Sequence, residues 1–383
     1  MQYELSGDNK RIRELVRRVA LEKVAPRAAE IDAKAEYPQD MFDLLKDLGF
    51  FTLPFDEKYG GTNSILSACI AIEEFGRICY NTAYLLVVQW VPFGAILAGG
   101  SKDQKDRYLP GLADGSLRGA FSTTESQSGS DVGGITTRAV KVVGGYQITG
   151  NKIWCTNSSV ADFVVVAARL EGMTGKRAIN FFIVDRKSKG FSVGPSENKM
   201  GARGVPSCPL YFDNVFVNED AMLGRPGEGF GIVMEAFNIS RPIIGARGVG
   251  LSQGALDHAL SFVKERRAFG EQVADFQGVR WMLADMHVQI EAARNLVYKA
   301  AASADAGLTG KALAMEAAVA KCHASDTAMR VATDAVQLFG AAGISADYPI
   351  NRYFRDAKVL QICLLYTSPS PRDRTRSRMP SSA

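Results

Sequence analysis

The chain has 383 residues, of which 46% are hydrophobic and 22% charged, which is ordinary for a globular protein of two or three domains. Of the formal net charge of +4, the last 21 residues carry most, because they hold four arginines and one aspartate. A basic nucleic-acid-binding surface is therefore excluded. The six cysteines are scattered without a CxxC pair, and the three histidines lie far apart in sequence. This excludes a disulfide framework, a zinc site and a Ser-His-Asp centre.

Two features place the chain in an aqueous compartment. No apolar run reaches the roughly 18 residues of a membrane helix, and the longest candidate, residues 83–97, is interrupted by Gln89, Pro92 and Gly94. The start, Met1-Gln-Tyr-Glu-Leu, has no charged segment followed by an apolar run, so no secretory signal is predicted. We expect a protein without a membrane span in a bacterial cytoplasm; a mature mitochondrial protein is the alternative.

Residues 1–120 have helical periodicity. An amphipathic pattern over 9–33 is divided at Pro26, because proline removes a backbone donor. A second helix is predicted over 38–48, ended by Gly49, and two apolar helices over 64–79 and 82–98. A further helix begins after Ser101, a good N-cap, and is predicted to end at Pro110-Gly111.

The period then changes to that of strands. Residues 137–143 alternate and meet the turn Gly144-Gly145, which predicts a hairpin. With the runs at 146–149, 163–168, 178–184, 191–193 and 210–217, residues 121–228 are predicted to form a β domain of about six to eight short strands.

Helical periodicity returns over 229–362. Helices are predicted over 232–249, 252–267, 279–302, 313–338 and 347–362, and a bundle of four antiparallel helices is the simplest way to bury their apolar stripes. The glycines at 248, 250 and 254 follow no strand, so they indicate close helix packing and not a dinucleotide fingerprint. The predicted class is α+β: an N-terminal helical domain (1–120), a middle β-barrel or sandwich domain and a C-terminal four-helix bundle.

Two stretches look like a binding site. Phe121–Asp131 is dense in hydroxyl groups, and Gly150–Asn157 places Trp154 two residues from Thr156, on one side of a strand. A flat aromatic ring beside a hydrogen-bonding side chain suits a flavin ring, which needs a surface to stack on and hydrogen bonds along its edge. The alternative is a Ser/Thr-rich loop leading into a hairpin with a core tryptophan.

Eight motifs occur in order along the chain: EKYGG from Glu57, YLPGLA from Tyr108, TExxxxSD from Thr124, GNKIWxTN from Gly150, MGxRG from Met200, ERRxFG from Glu265, QLFG from Gln337 and RDAK from Arg355. On these motifs the chain resembles acyl-CoA dehydrogenases over residues 1–362. The resemblance implies the same α–β–α fold, FAD held between the β domain and the bundle, and oxidation of an acyl-CoA to the trans-2-enoyl-CoA.

The resemblance also implies roles for individual residues. The flavin ring would be held by the backbone of Phe121 and Thr123 and the side chains of Thr124, Trp154 and Thr156. The rest of FAD would be held by Ser130, Arg266, Phe269, Gln277, Gln337, Gly340 and Ala341, partly across a subunit contact, which implies a homodimer or homotetramer. The acyl-CoA would be bound by Ser130, Asn238 and Arg241.

The catalytic glutamate of the family is missing at both positions where members carry it. The usual position falls on Leu364, and the position used by a minority of members falls on Ser240. Neither side chain can take a proton. Residues 363–383 have no helical periodicity, are predicted to be disordered, and resemble the translation of a sequencing adapter. A natural basic tail or a phosphorylated Ser-Pro tail are the alternatives.

Three functions follow from these patterns. The first is an FAD-dependent acyl-CoA dehydrogenase that acts on a short, medium or ring-bearing acyl group and passes electrons to an electron-transfer flavoprotein. The second is a flavin-binding protein of the same fold without dehydrogenase activity, which the missing glutamate favours. The third is an enoyl-CoA reductase running the reaction in reverse.

Overall fold

In the computed structural model, residues 5–362 are described. The predictions for residues 363–383, Leu364 among them, lie outside this part of the chain. The N-terminal region consists of six α-helices: α1 (Gly7–Val19), α2 (Ala28–Lys34), α3 (Gln39–Asp47), α4 (Ile65–Ile78), α5 (Tyr80–Gly99) and α6 (Lys102–Asp114). Side chains of Ser6, Ser64 and Ser101 accept hydrogen bonds from the first turns of α1, α4 and α6, which fixes where these helices begin.

The predicted helix over 9–33 is broken more extensively than expected. A π turn (Ala20–Val24) and a 3-10 turn (Ala25–Arg27) separate α1 from α2. Proline has no N–H to donate, so the regular ladder cannot pass through Pro26. Leu15 and Leu21, two apolar residues of the predicted amphipathic pattern over 9–33, are 42% and 55% exposed.

Two further predictions in this region are corrected. Helix α6 continues through Pro110 to Asp114, because Leu109 and Leu112 on either side are buried, and it ends at Gly115 in a left-handed conformation. Helix α5 is long and apolar enough to cross a membrane, contrary to the sequence estimate. Of its apolar window, 78% is buried inside the protein, which is the environment of a core helix.

The middle region is one mixed sheet of seven strands among the described residues: β1 (Gly119–Ser122), β2 (Arg138–Val142), β3 (Gly145–Thr156), β4 (Phe163–Leu170), β5 (Ile179–Asp185), β6 (Phe191–Val193) and β7 (Ser207–Asn218). The strand order is β1-β4-β2-β3-β7-β6, with β5 on the other edge of β4. Strand β1 was not predicted. The hairpin between β2 and β3 was, and its turn residue Gly144 has a φ of 76°.

The two faces of the sheet belong to different cores. Along β4, Val165 packs with the helices, whereas Val164 and Val166 join a smaller core on the opposite face. This is the period-two alternation of a strand buried on both sides. The sheet thereby presents one face to the helices that surround the cavity described below.

The C-terminal region contains α7 (Gly229–Glu265), α8 (Gln277–Asp305), α9 (Gly310–Phe339) and α10 (Pro349–Ile362), which pack on one another, and a short hairpin of β8 (Arg267–Ala268) and β9 (Glu271–Gln272). The two helices predicted over 232–249 and 252–267 are one helix, and the hairpin was not predicted. The α–β–α order and the fold class are confirmed.

The glycines of α7 allow that helix to lie directly on its neighbours. A side chain at Gly250 would overlap the carbonyl oxygen of Glu73, and one at Gly254 that of Arg77, both on α4. A side chain at Gly248 would meet Leu360 and the backbone of Ala324. The glycines therefore serve close helix packing, as predicted, without interrupting the helix.

Candidate functional site

A cavity of about 150 Å³ lies among α5, α7 and strands β1 and β3. We call it the central cavity. It is lined by Tyr84, Val87, Val88, Val91, Phe121, Ser122, Thr123, Thr124, Ile153, Trp154, Thr156, Phe237, Ile244 and Arg247.

The helical wall of the central cavity follows from helix geometry. Residues three, four and seven apart share a face of a helix, and Tyr84, Val87, Val88 and Val91 have this spacing on α5. On α7, Phe237 and Ile244 are seven residues apart, with Arg247 one turn further. Since most of these side chains are aliphatic, this wall suits an apolar ligand group.

The opposite wall brings together the five residues predicted to hold a flavin ring. Phe121, Thr123 and Thr124 come from β1 and the loop after it, and Trp154 and Thr156 from β3. The Phe121 ring stacks on Phe181 at 5.5 Å and meets Phe237 edge-on at 5.6 Å. This packing connects the sheet wall to α7.

Trp154 reaches the cavity by a different geometry from the one predicted. The pairing of β3 with β7 shifts between Lys152 and Cys155, and Trp154 has a φ of 59°, so strict alternation does not hold here. Trp154 is 52% exposed, which excludes the alternative of a core tryptophan. Thr156 Oγ1 lies 3.2 Å from Ser207 Oγ, a contact that orients the Thr156 side chain.

An ion pair that the sequence analysis missed joins the two predicted stretches. Lys152 Nζ donates to Glu125 Oε1 at 2.7 Å and to the carbonyl of Thr123 at 3.1 Å. Glu125 also accepts from the backbone N–H groups of Thr136 and Thr137, at 2.6 and 3.0 Å. Because both charged side chains are buried, the pair fixes the loop after β1 against β3.

The electrostatics of this pair are set by burial and by mutual attraction. Burial opposes ionisation of Glu125, but the hydrogen bond and charge of Lys152 outweigh it and lower the pKa of that carboxyl to about 2. Burial lowers the pKa of Lys152 to about 8 against the opposing pull of Glu125. Both groups are therefore charged at neutral pH.

The residues predicted to bind acyl-CoA are placed beside the central cavity or outside it. Asn238 and Arg241 are buried on α7, and Arg241 donates to Asn238 Oδ1 at 3.0 Å. Burial lowers the pKa of Arg241. Ser130 is exposed in the loop between β1 and β2 and does not line the cavity.

The remaining predicted FAD residues are exposed and also lie outside the central cavity. Arg266 follows α7, Phe269 is at the tip of the β8–β9 hairpin, and Gln277 begins α8. Gln337, Gly340 and Ala341 are at the end of α9. The rings of Phe262 and Phe339 stack at 4.1 Å, so the ends of α7 and α9 lie side by side. The predicted FAD residues that follow α7 therefore lie beside those at the end of α9.

A general base is missing from the described part of this site. No aspartate or glutamate of residues 5–362 lines the central cavity. Ser240, the position that a minority of the family uses, is buried on α7 and donates to the carbonyl of Phe237 at 3.4 Å. Leu364 is outside the described residues. Within residues 5–362 there is also no cluster of three metal-ligating side chains.

The residues of the helical wall, including Tyr84, Ile244 and Arg247, were not predicted from the sequence. The sequence did contain one indication of this wall. Arg247 is the one charged residue in the stretch from Pro242 to Ser252. A charge in such a stretch is buried with the helix, and buried charges are uncommon without a function or a partner.

Two helical regions around a sheet, with an aromatic and hydroxyl-bearing cavity wall between them, fit a flavin-dependent oxidoreductase. Comparison with known families makes this specific. The chain matches the acyl-CoA dehydrogenase N-terminal domain over residues 6–116, the middle domain over 120–215 and the C-terminal domain over 227–364. It belongs to the acyl-CoA dehydrogenase family.

Individual relatives agree with this assignment. The chain is 39% identical to "Acyl-CoA dehydrogenase, short-chain specific" of Clostridium acetobutylicum, over 94% of this chain and 95% of that protein. Among solved structures, butyryl-CoA dehydrogenase of Megasphaera elsdenii is 37% identical with a TM-score of 0.91, over 95% and 96% of the two chains. A structure titled "PigA with FAD and proline" is 25% identical with a TM-score of 0.89, over 95% of each chain.

The cofactor of this family is FAD, and the residues of the central cavity fit it. Trp154 presents a half-exposed aromatic face to the cavity, as stacking on a flavin ring requires. Thr124 and Thr156 line the same wall and carry hydroxyl groups that can bond to the polar edge of the ring.

Proposed function

We propose that the chain binds FAD and an acyl-CoA thioester in and around the central cavity. The reaction that we assign to this site is oxidation of the acyl-CoA to the trans-2-enoyl-CoA. The observation that carries the proposal is the composition of the two walls. One wall is aromatic and hydroxyl-bearing, and the other is mainly aliphatic. A flavin ring and an acyl chain need these two surfaces facing each other.

The sheet wall holds and orients the cofactor. FAD, when bound, supplies the acceptor for the hydride that leaves the β carbon of the acyl group. Trp154 would pack against the ring, and the hydroxyls of Thr124 and Thr156 and the backbone at Phe121 and Thr123 would bond to its edge. The Glu125–Lys152 ion pair keeps Thr123 and Thr124 at a fixed distance from β3.

The helical wall holds the acyl chain and excludes water. Val87, Val88 and Val91 on α5 and Phe237 and Ile244 on α7 line the cavity, and these side chains would contact the acyl chain. The apolar side chains of this wall suit an acyl chain, and the short-chain and butyryl-CoA names of the relatives above support a short one. Asn238, which directly follows Phe237, and Arg241, one turn further along α7, would contact the thioester end, and Ser130 would contact the CoA.

Proton removal requires a carboxylate that the described residues do not bring to this cavity. The α proton of a thioester is weakly acidic, so a base with a raised pKa must lie within hydrogen-bond reach of it. The family position of this base falls on Leu364. We therefore propose that this chain binds both ligands but turns over slowly or not at all.

The second candidate function, a flavin-binding protein without dehydrogenase activity, is favoured by the same observation, the lack of a carboxylate among the lining residues. An anaerobic titration of the FAD-loaded chain with butanoyl-, octanoyl- and a benzylic acyl-CoA, followed at the visible flavin band, separates the two. Leu364→Glu is the test variant, and Leu364→Gln is its uncharged control.

Bleaching that appears only in Leu364→Glu would support a dehydrogenase that lacks its base. Bleaching of the unaltered chain would mean that another carboxylate reaches the substrate and would contradict our assignment of the missing base. A spectral shift without bleaching in all three proteins would support the binding function. The reverse reaction, enoyl-CoA reduction, is tested by adding enoyl-CoA to the reduced protein.

We further propose that two copies of the chain share each FAD. Arg266, Phe269 and Gln277 lie on the surface beside Gln337, Gly340 and Ala341, and Phe269 is 97% exposed. Exposed apolar side chains on the same bundle, such as Trp281 and Val288 on one face of α8, suit a homodimer or homotetramer. An electron-transfer flavoprotein as electron acceptor and a cytoplasmic location follow from the family resemblance and stay predictions.

A further inference from the structure

Among residues 5–362, Arg247 is the one charged residue in the wall of the central cavity. Its side chain is fully buried on α7, and none of its three guanidinium nitrogens has a hydrogen-bond partner among residues 5–362. A guanidinium keeps its charge in proteins and carries five N–H donors in one plane. Burying such a group without an acceptor is unfavourable, so a ligand that supplies the acceptor would be stabilised there.

The neighbours of Arg247 stabilise its charge without bonding to its N–H groups. The guanidinium carbon lies 3.8 Å from the ring centroid of Tyr84 and 4.4 Å from that of Tyr80, both on α5. Aromatic faces attract a cation at this distance. Hydrogen bonds to a guanidinium lie in its plane, where a planar acceptor such as a carboxylate can pair with it, and these donors have no partner among residues 5–362.

The two glutamates of the neighbouring helix α4 are already paired with other residues. The backbone of Arg247 packs against Gly76 of α4, and α4 also carries Glu73 and Glu74. Glu73 accepts from Arg294 and from the hydroxyl of Tyr298, each at 2.8 Å. Glu74 accepts two hydrogen bonds from Arg17, at 2.9 and 2.8 Å. Neither carboxylate is directed at Arg247.

The position of Arg247 on α7 defines which part of a ligand could reach it. Along α7, Asn238 and Arg241 lie before Ile244, and Arg247 lies one turn after it. A thioester near Arg241 would therefore direct the far end of its acyl chain, past Ile244, toward Arg247. The apolar wall between them suits the methylene groups of that chain.

We propose that the acyl group recognised by this chain carries a second carboxylate at its far end, and that Arg247 is the residue that binds it. The substrate class is then the CoA thioester of a short dicarboxylic acid. This inference rests on the proposed function, because it assumes an acyl-CoA in the central cavity. Arg247 determines specificity and takes no part in proton or hydride transfer.

The test is equilibrium binding to the FAD-loaded full chain, measured by calorimetry, so that turnover is not needed. The two ligands are glutaryl-CoA and hexanoyl-CoA, in which an ethyl group replaces the terminal carboxylate. We expect glutaryl-CoA to bind about 10- to 100-fold more tightly, the range for a hydrogen bond to a charged group. Arg247→Met should abolish this preference, and Arg247→Lys should retain part of it.

Ile244→Val is the control, because it changes the same wall without changing charge and should affect both ligands alike. Arg247→Met must keep its far-ultraviolet circular dichroism and its FAD. If that variant does not fold, the preference of the unaltered chain and of Arg247→Lys decides. Equal or tighter binding of hexanoyl-CoA by the unaltered chain would overturn the inference and leave the proposed function standing. If neither thioester binds, the proposed function fails, and the inference with it.

Discussion

Lys152 Nζ lies 2.7 Å from Glu125 Oε1 in an environment that excludes water from both side chains. Each residue comes from one of the two stretches that line the sheet wall of the central cavity, and the pair also reaches the carbonyl of Thr123. The positions of Thr124 and Trp154 therefore depend on this ion pair, although neither Glu125 nor Lys152 lines the central cavity.

Removing one member of this pair should be costly, because the other charge stays buried without a partner. We expect Glu125→Gln and Lys152→Met each to lower the free energy of unfolding by about 3 to 5 kcal/mol. The double variant should be more stable than the sum of the two losses predicts. Urea unfolding of the four proteins measures this, and additive losses would show that the pair is not coupled.

Asp356 on α10 gives a prediction about pH. Its carboxyl is buried, and burial raises its pKa to about 6 although the N–H of Ala202 donates to it at 2.6 Å. The folded state therefore binds more protons than the unfolded state between about pH 4 and 6. Protonated Asp356 therefore contributes its full stabilisation of the folded state below about pH 4, and this contribution is lost as the pH rises through about 6.

Asp356→Asn keeps an oxygen to accept from Ala202 and removes the ionisation. We expect the unaltered protein to lose at most about 3 kcal/mol relative to this variant between pH 4 and pH 7. The measurement is the difference between their free energies of unfolding as a function of pH. A difference that does not change with pH would contradict the buried, titrating carboxyl.

The close contact of α7 with α4 predicts opposite effects for two glycines of α7. A methyl group at Gly250 would overlap the carbonyl oxygen of Glu73, and backbone cannot move aside as a side chain can. We expect Gly250→Ala to cost roughly 3 kcal/mol or more. At Gly231 nothing lies within 4 Å of the added atom, so Gly231→Ala should stabilise by about 0.5 to 1 kcal/mol. Thermal unfolding distinguishes the two, and equal effects would contradict the packing described.

The sequence predicted the order of the elements better than their boundaries. Periodicity identified α3, α4 and α5 and six of the strands, because each has a regular apolar face or a clear turn beside it. It placed the end of α6 at Pro110 and divided α7 near Ser252. In both places tertiary packing supports a helix through a residue that interrupts an isolated one.

The sequence also predicted the sheet wall of the central cavity and not its helical wall. Trp154 and Thr124 belong to motifs with polar and aromatic residues at fixed spacing. Val87 and Ile244 are indistinguishable by type from core residues, and only the three-dimensional arrangement shows that they border a cavity. The pairing of Glu125 with Lys152 joins positions 27 residues apart, and no local pattern indicates it.

Trp281 tests the proposed assembly. It is 64% exposed on α8, and Val288, two turns further on the same face, is 59% exposed. If these side chains are covered by a second copy, Trp281→Glu should convert the oligomer to a monomer in light-scattering measurements and weaken FAD retention. Val143→Glu is the control, because Val143 is 99% exposed in the β2–β3 turn. A monomeric unaltered protein would contradict the shared FAD site.

Trp154 tests the flavin wall directly. Because its side chain is 52% exposed, Trp154→Ala should change the stability of the FAD-free protein by less than about 1 kcal/mol. Loss of the stacking surface should weaken FAD binding by about 10- to 100-fold, from the ring contact and the apolar area together. Trp154→Phe keeps an aromatic face and should stay within about 3-fold of the unaltered chain. Quenching of flavin fluorescence on titration gives the three affinities. Full FAD affinity in Trp154→Ala would show that the ring lies elsewhere, and the assignment of the sheet wall would then have to be abandoned.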